Sequence, residues 1–240
     1  MTYTELKDLK VKLFADGADL GVMVEMAAKD YIQGLTTNPT LMKKAGIRDY
    51  KSFALEVLAE IPTKPISFEV FSDDLDEMKR QGLEISTWGA NVYVKIPVTN
   101  TQGLSTLPVI QYLVEHKVKV NVTALMNLNQ VAQISDVLSP TVASYISIFA
   151  GRIADTGRNP IPIMESVIQH VAKLELCEII WASPRELLNV FQADEINCHI
   201  ITATNDILKK LELVGRDLNQ YSLETVQMFR SDAVAAGFNL

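Results

Sequence analysis

The sequence predicts an α/β fold, a (β/α)8 TIM barrel with one additional C-terminal helix. Three observations lead there. Short β-branched apolar runs alternate with longer amphipathic stretches along the whole chain. Eight such runs occur, spaced about 20 to 30 residues apart, which leaves room for one helix and two short loops in each interval. The turn after the first run, ADGADLG, lacks the glycine spacing that a dinucleotide-binding open sheet places there. A closed barrel therefore fits better than a doubly wound sheet.

The strand candidates, in order, are KLFADG (12–17), GLTTN (34–38), PISFEVF (65–71), VYVKIPV (92–98), VKVNVTAL (118–125), YISIFAG (145–151), CEIIWAS (177–183) and CHIITAT (198–204). Between them apolar residues recur at helical spacing. Leu20, Met23, Met26 and Ala27 do so after the first strand, and Leu104, Leu107, Ile110 and Leu113 after the fourth. Asp19, Ser72, Asp73 and Thr101 each precede such a pattern as candidate capping residues. Beyond Thr204 a helix is expected over 206–213. A tail, SLETVQMFRSDAVAAGF, then carries Leu223, Val226, Phe229 and Val234 on a further helix over 222–236. Its apolar stripe has two uses open to it, packing on its own barrel or docking on a neighbouring subunit. No Pro/Ser-rich linker or composition shift divides the chain, so residues 1–240 read as one domain.

Composition excludes several classes of function. With 48% hydrophobic residues the chain can bury a large core. A net charge of −7 argues against a non-specific nucleic-acid binder, which needs a basic surface to displace counterions. Cys177 and Cys198 are the only cysteines; they are too few for a disulfide framework or a zinc cage and suit a reducing cytoplasm. The start, MTYTELKDLK, has no apolar leader. No apolar run approaches the roughly 18 residues of a membrane span. His116, His170 and His199 have no metal-ligand spacing, so neither a metal site nor a membrane contact is expected.

In barrels of this kind chemistry gathers at the C-terminal ends of the strands. The polar residues there are Asp16, Thr36, Asn38, Glu69, Lys95, Asn121, Thr123, Ser147, Ser183 and Arg185. Lys95 stands among Tyr93, Val94, Ile96 and Pro97, surroundings that strip water from an ammonium and free its lone pair for attack on a carbonyl. The other reading is a lysine snorkelling to water from the barrel rim. Asp16 and Glu69 would be the acid–base pair for Schiff-base chemistry, with Thr123 helping Glu69 hold a water. Taken singly, they are equally a turn residue before Gly17, an ion-pair partner and an ordinary strand threonine. Asn38 and Asn121 would hydrogen-bond substrate hydroxyls, or simply cap loops. Arg152 after the sixth strand, with Ser183 and Arg185 after the seventh, suits a phosphate monoester; surface salt bridges are the alternative for either arginine.

The stretches FADGAD (14–19), GLTTNPTL (34–41), VYVKIPVT (92–99), NVTAL (121–125), ISIFAGRI (146–153) and WASPRE (181–186) resemble, in the same order, those of the transaldolases, including the smaller branch with fructose-6-phosphate aldolase. The resemblance runs from about residue 11 to residue 236. It implies a Schiff base between Lys95 and a ketose phosphate, in carbohydrate metabolism of the pentose phosphate pathway type. Asp16 would move the C4 hydroxyl proton, and Glu69 with Thr123 would handle the water exchanged in imine formation. Asn38 and Asn121, beside Thr36, would bind the dihydroxyacetone part, and Ser147 its terminal hydroxyl. Arg152, Ser183 and Arg185 would hold phosphate. No cofactor is implied, and a homo-oligomer, pentamer or decamer, is.

Glu69 and Phe149 match the transferring members; aldolases that release free dihydroxyacetone tend to carry glutamine and tyrosine there. The chain departs from the family pattern at Gly17, at Ile148, over Ala124-Leu125-Met126 and near Cys198-His199. A simple aldolase and a catalytically silent sugar-phosphate-binding barrel are the competing readings.

Overall fold

A computed structural model describes residues 9–239. The leading stretch read above as free of an apolar leader lies, through residue 8, outside the described residues. Eight parallel strands close into a barrel in chain order: β1 (Lys12–Asp16), β2 (Ile32–Thr36), β3 (Ile66–Glu69), β4 (Val92–Pro97), β5 (Val120–Leu125), β6 (Ser144–Ile148), β7 (Cys177–Trp181) and β8 (Ile200–Thr204). The helices between them are α1 (Leu20–Ala27), α2 (Pro39–Lys44), α3 (Tyr50–Glu60), α4 (Leu75–Ser86), α5 (Leu107–Glu115), α6 (Leu128–Ser135), α7 (Ala150–Asp155), α8 (Ile161–Val171) and α9 (Leu188–Glu195). After β8 come α10 (Asn205–Leu208), a 3-10 turn (Lys209–Leu213) and α11 (Leu218–Ala235). No helix among the described residues is long and apolar enough to cross a membrane.

Alternation along each strand divides the apolar residues into two cores. On β4, Val92, Val94 and Ile96 face the helices and join the large outer core with Met23, Val57, Ile110 and Val167. Tyr93 points inward to a smaller core with Phe14, Tyr145, Ile180, Ala182 and Ile200. Inside, Tyr93 and Tyr145 stack with ring centroids 4.0 Å apart, and Phe14 meets Tyr145 edge-on at 5.9 Å. Gly34 on β2 makes room for Phe14: a Cβ there would lie 2.4 Å from the phenyl ring. Below this aromatic layer Lys12 and Glu178 pair at 2.7 Å. The inner core plugs the barrel and leaves the strand C-termini as the place where polar side chains converge.

Local chemistry explains where the elements stop and start. β2 ends at Thr36 rather than at residue 38 because the Asn38 side chain accepts the Leu41 amide at 3.0 Å and Pro39 opens α2. β6 ends at Ile148 because Phe149 already leads into α7. Asp19 caps α1 as expected, accepting from Val22.

Three other expected caps shift. Asp74, not Ser72 or Asp73, caps α4 by accepting from Glu77, while Asp73 accepts from Thr101 across the neighbouring loop. Thr101 thus caps no helix; α5 begins at Leu107, and Leu104 sits exposed outside it. The helix expected over 206–213 divides into α10 and the 3-10 turn. The tail helix is longer than expected and none of its residues is buried. Leu223, Val226, Phe229 and Val234 are all at least half exposed, so the stripe does not pack into this chain's own barrel.

Candidate active site

Lys95 is reached from β4 by the pleat alone: it follows Tyr93 by two residues and shares its inward face. It is 6% exposed. Its Nζ donates to the Thr37 backbone carbonyl at 3.0 Å and lies 3.0 Å from Glu69 Oε2 on the adjacent strand. Glu69 and Lys95 are register partners, as are Lys95 and Asn121, so three neighbouring strands deliver them to one level. The amine is therefore buried with two acceptors, not snorkelling to water. Sequence reasoning had foreseen a desolvated amine but not these partners.

Asp16 closes the opposite side from β1. Burial pushes its carboxyl pKa up, and the Glu69 charge adds to this; the Lys95 charge and a hydrogen bond from Thr36 pull it down. Thr36 Oγ1 donates to Asp16 Oδ1 at 2.8 Å and lies 2.6 Å from Thr202 Oγ1 on β8. Asn121 is fixed from both sides, donating to Ser67 Oγ at 2.9 Å and accepting from Ser147 Oγ at 2.7 Å. With its proton spent on Asn121, the Ser147 hydroxyl can only accept from a ligand. Thr123, at 2% exposure, has no protein partner for its hydroxyl among the described residues. A buried unpaired hydroxyl beside Lys95's strand is suited to hold a polar guest.

The phosphate candidates gather where the β6 and β7 loops touch. The backbones approach so closely that a Cβ on Gly151 would lie 1.6 Å from the Ser183 carbonyl oxygen. Ser183 itself adopts φ +60, in the left-handed region. Arg185 is engaged by Asp155, its Nε donating to Oδ1 at 2.9 Å and its second guanidinium nitrogen pairing with Oδ2. Arg152 is exposed, with its guanidinium carbon 5.8 Å from the Phe149 ring. The salt-bridge reading therefore holds for Arg185, while Arg152 stays open toward solvent. Asn38 likewise takes the capping role with its oxygen, which leaves its amide nitrogen as the group to offer a ligand.

Thr36, Glu69, Lys95, Asn121, Thr123 and Ser147 thus meet at one end of the barrel with Asp16, and the candidates for phosphate, Arg152, Ser183 and Arg185, lie on α7 and the loop after β7. A cleft of about 410 Å³ opens from Glu69 along Tyr50, Phe71, Met42, Lys43 and Arg48. Sequence reasoning missed Ser67, Thr202 and the Thr37 carbonyl. Ser67 and Thr202 carried one usable signal: each sits on the inward parity of its strand, Ser67 two residues before Glu69. The Ala124 bulge also went unforeseen. Ala124 has φ +65 where the β5–β6 register shifts. Among the described residues no group of three or more His, Cys, Asp or Glu side chains is arranged to hold a metal ion.

The structure resembles other barrels at low identity. It matches a dihydrodipicolinate synthase family protein from Coccidioides immitis with a TM-score of 0.59, at 11% identity over 84% of this chain and 68% of that one. It matches KGPDC from Streptococcus mutans with a TM-score of 0.58, at 8% identity over 85% of this chain and 99% of that one. These likenesses concern the fold. Sequence relatives are more specific. A protein named "Probable transaldolase" from Thermoanaerobacter sp. (strain X514) is 32% identical over 96% of this chain and 100% of its own length. Another of that name, from Methanococcus maripaludis (strain C7), is 32% identical over 84% of this chain and 89% of its own. The pattern of the family described as Transaldolase/Fructose-6-phosphate aldolase matches residues 13–240. With Lys95, Glu69 and Asp16 converging in a closed (β/α)8 barrel, the chain belongs to the transaldolase/fructose-6-phosphate aldolase family.

Proposed function

We propose that the protein is a transaldolase, moving a dihydroxyacetone unit from a ketose phosphate such as fructose 6-phosphate or sedoheptulose 7-phosphate to an aldose phosphate through a Schiff base on Lys95. One observation carries this reading: the Lys95 amine is buried 3.0 Å from the Glu69 carboxylate, with a second carboxyl, Asp16, near enough for the Lys95 charge to act on it.

Glu69 takes a proton from the amine, which then adds to the C2 carbonyl. The carbinolamine loses its hydroxyl as water when Glu69 returns the proton, leaving a protonated imine on Lys95. Thr123, whose hydroxyl is otherwise unpartnered, holds that water. Asp16 takes the C4 hydroxyl proton, the C3–C4 bond breaks, and its electrons move to the imine nitrogen. An aldose phosphate departs and a three-carbon enamine stays on Lys95. An acceptor aldehyde then adds, Asp16 returns the proton to the new hydroxyl, and water hydrolyses the new imine to release the product ketose phosphate and restore the Lys95 amine. Burial of Asp16 serves the cleavage step, since it makes the carboxylate a stronger base for the C4 proton. Asn121, Ser147 and the Asn38 amide orient the three-carbon part beside Thr36. Arg152, Ser183 and Arg185 receive the phosphate, Arg185 held in place by Asp155. Phe149 supports transfer over release, because it brings no hydroxyl to protonate the enamine. No cofactor enters this sequence. The reading also puts the enzyme in the cytoplasm, assembled as a homo-oligomer through α11.

Incubation with fructose 6-phosphate, borohydride reduction and peptide mass spectrometry tests the proposal. The expected adduct is on Lys95; none, or one on another lysine, sinks the mechanism. Glyceraldehyde 3-phosphate should appear much faster with erythrose 4-phosphate than without it. Equal rates would instead favour an aldolase that releases free dihydroxyacetone.

A further inference from the structure

We infer that Thr202 on β8 is a positioning residue that acts through Thr36 to fix which oxygen of Asp16 handles the substrate proton. The inference rests on the transaldolase reading for its consequence, but the hydrogen-bond chain stands on geometry alone. Thr202 and Thr36 are 6% and 3% exposed, so neither hydroxyl is satisfied by bulk water. Thr36 Oγ1 lies 2.8 Å from Asp16 Oδ1 and 2.6 Å from Thr202 Oγ1.

A threonine hydroxyl carries one proton. Thr36 donates its proton to Asp16 Oδ1, so in the 2.6 Å contact Thr202 must be the donor and Thr36 the acceptor. The chain then has one direction, from Thr202 through Thr36 to Asp16. Each donation polarises the next hydroxyl and strengthens its bond to the carboxylate. Oδ1 is occupied by Thr36, which leaves Oδ2 as the oxygen that takes the C4 hydroxyl proton and gives it back. The barrel itself fixes the spacing: β8 pairs with β1, placing Phe14 opposite Thr202 and Asp16 opposite Thr204, and β1 pairs with β2, placing Asp16 opposite Thr36. Thr202 thus reaches Thr36 diagonally across the inner face of β1.

The charged groups acting on Asp16 are Lys95 from β4 and Glu69 from β3; Thr36 comes from β2 and Thr202 from β8. Lys95 and the hydroxyl chain favour the carboxylate, while burial and Glu69 oppose it. Removing the chain therefore raises the Asp16 titration, and the acid limb of kcat should follow it.

The test uses Thr202→Val, nearly the same shape without the hydroxyl, with Thr202→Ser as the conservative rescue, Thr36→Val and the double variant. In the free enzyme the Asp16 carboxyl, followed by carbon NMR, should titrate about half a unit higher in Thr202→Val and return toward wild type in Thr202→Ser. Kinetically, kcat should fall about tenfold with KM unchanged, the scale of one lost hydrogen bond at a proton-transfer group. The acid limb should move up, and borohydride trapping on Lys95 should keep its wild-type rate. Because the chain is serial, adding Thr202→Val to Thr36→Val should cost nothing further. An unchanged Asp16 titration in Thr202→Val, a serine variant that does not recover, or effects that multiply in the double variant would each overturn the inference. Failure to trap any Lys95 adduct in the wild type would remove the transaldolase reading instead, while the NMR titration still decides the hydrogen-bond chain.

Discussion

Replacing Gly151 with alanine would drive a methyl group into the backbone of the neighbouring loop. The new Cβ would lie 1.6 Å from the Ser183 carbonyl oxygen, against the 3.0 Å below which such contacts essentially do not occur. The atom it meets is backbone, so no side chain can swing away. Helix α7 and the loop after β7 must separate by at least about 1.4 Å, the difference between those two distances. Overpacking of this kind costs about 1–3 kcal/mol. For a chain of this length about 2 kcal/mol lowers Tm by about 4–8 °C. The displaced loop carries Ser183 and Arg185, and a misplacement of about 1 Å costs roughly a hundredfold in rate. Gly151→Ala should therefore lose most of its kcat/KM for fructose 6-phosphate. It should still trap unphosphorylated dihydroxyacetone on Lys95, which lies on β4. Calorimetry and the two substrate assays decide the matter. An unchanged Tm with an unchanged kcat/KM for the phosphorylated sugar would refute both the packing argument and the phosphate assignment.

Three further outcomes are expected. Burial raises the Asp16 pKa, so its folded value exceeds the unfolded one and the ionised form costs stability above the folded pKa; Asp16→Asn should end sugar cleavage, keep Lys95 trapping and melt above the wild type at pH 7, the advantage vanishing once the pH falls below the unfolded value. His199 Nδ1 accepts the Ile179 amide at 3.1 Å, and burial lowers its pKa against the Glu178 charge, with Lys12 adding to the lowering. Its contribution is thus full above the unfolded value of 6.5 and is lost as pH falls through the depressed folded one; melting curves should show His199→Asn, which keeps an acceptor without titrating, losing less Tm than the wild type between pH 7 and 5. Removing residues 217–240 should leave a folded barrel of lower assembled mass by light scattering, since α11 buries none of its side chains in its own chain and exposes Leu218, Val226 and Phe229, with Phe238 exposed just beyond it; an unchanged assembly would exclude this segment as the link between subunits.

The resting partners of Lys95 give the site an order of events. In the proposed mechanism the Lys95 amine, held by Glu69 and the Thr37 carbonyl, attacks only after Glu69 has taken its proton. On that proposal the carboxylate that activates the amine is the same one that returns a proton as water leaves. Asp16, held from ionisation by burial and drawn toward it by Lys95, would on the same proposal serve the carbon–carbon step. Two carboxyls in different surroundings can divide the proton transfers without a metal ion as an intermediary.

Barrel class, strand number and strand order were legible in the sequence, because periodicity and β-branched runs are local properties that survive without contacts. The convergence of most of the candidate residues was legible too, since a barrel sends its strand C-termini to one rim and the inward parity of Asp16, Glu69, Lys95 and Asn121 can be counted along each strand. Partner choice was not. The Asp155 fork on Arg185 joins residues 30 apart, and the Thr202–Thr36 contact joins residues 166 apart, so only chain closure brings them within bonding range. Nor could the sequence say that Asp74 rather than Asp73 would cap α4, because Asp73 is claimed by Thr101, a residue 28 positions away. Sequence by itself determined which side chains stand at the mouth of the barrel, as parity and strand order are set by covalent spacing. Tertiary structure alone decided which of them pair, which carboxyl is buried, and that the tail helix is left with its apolar face exposed. Each of those outcomes depends on distances across the closed barrel that no local pattern encodes.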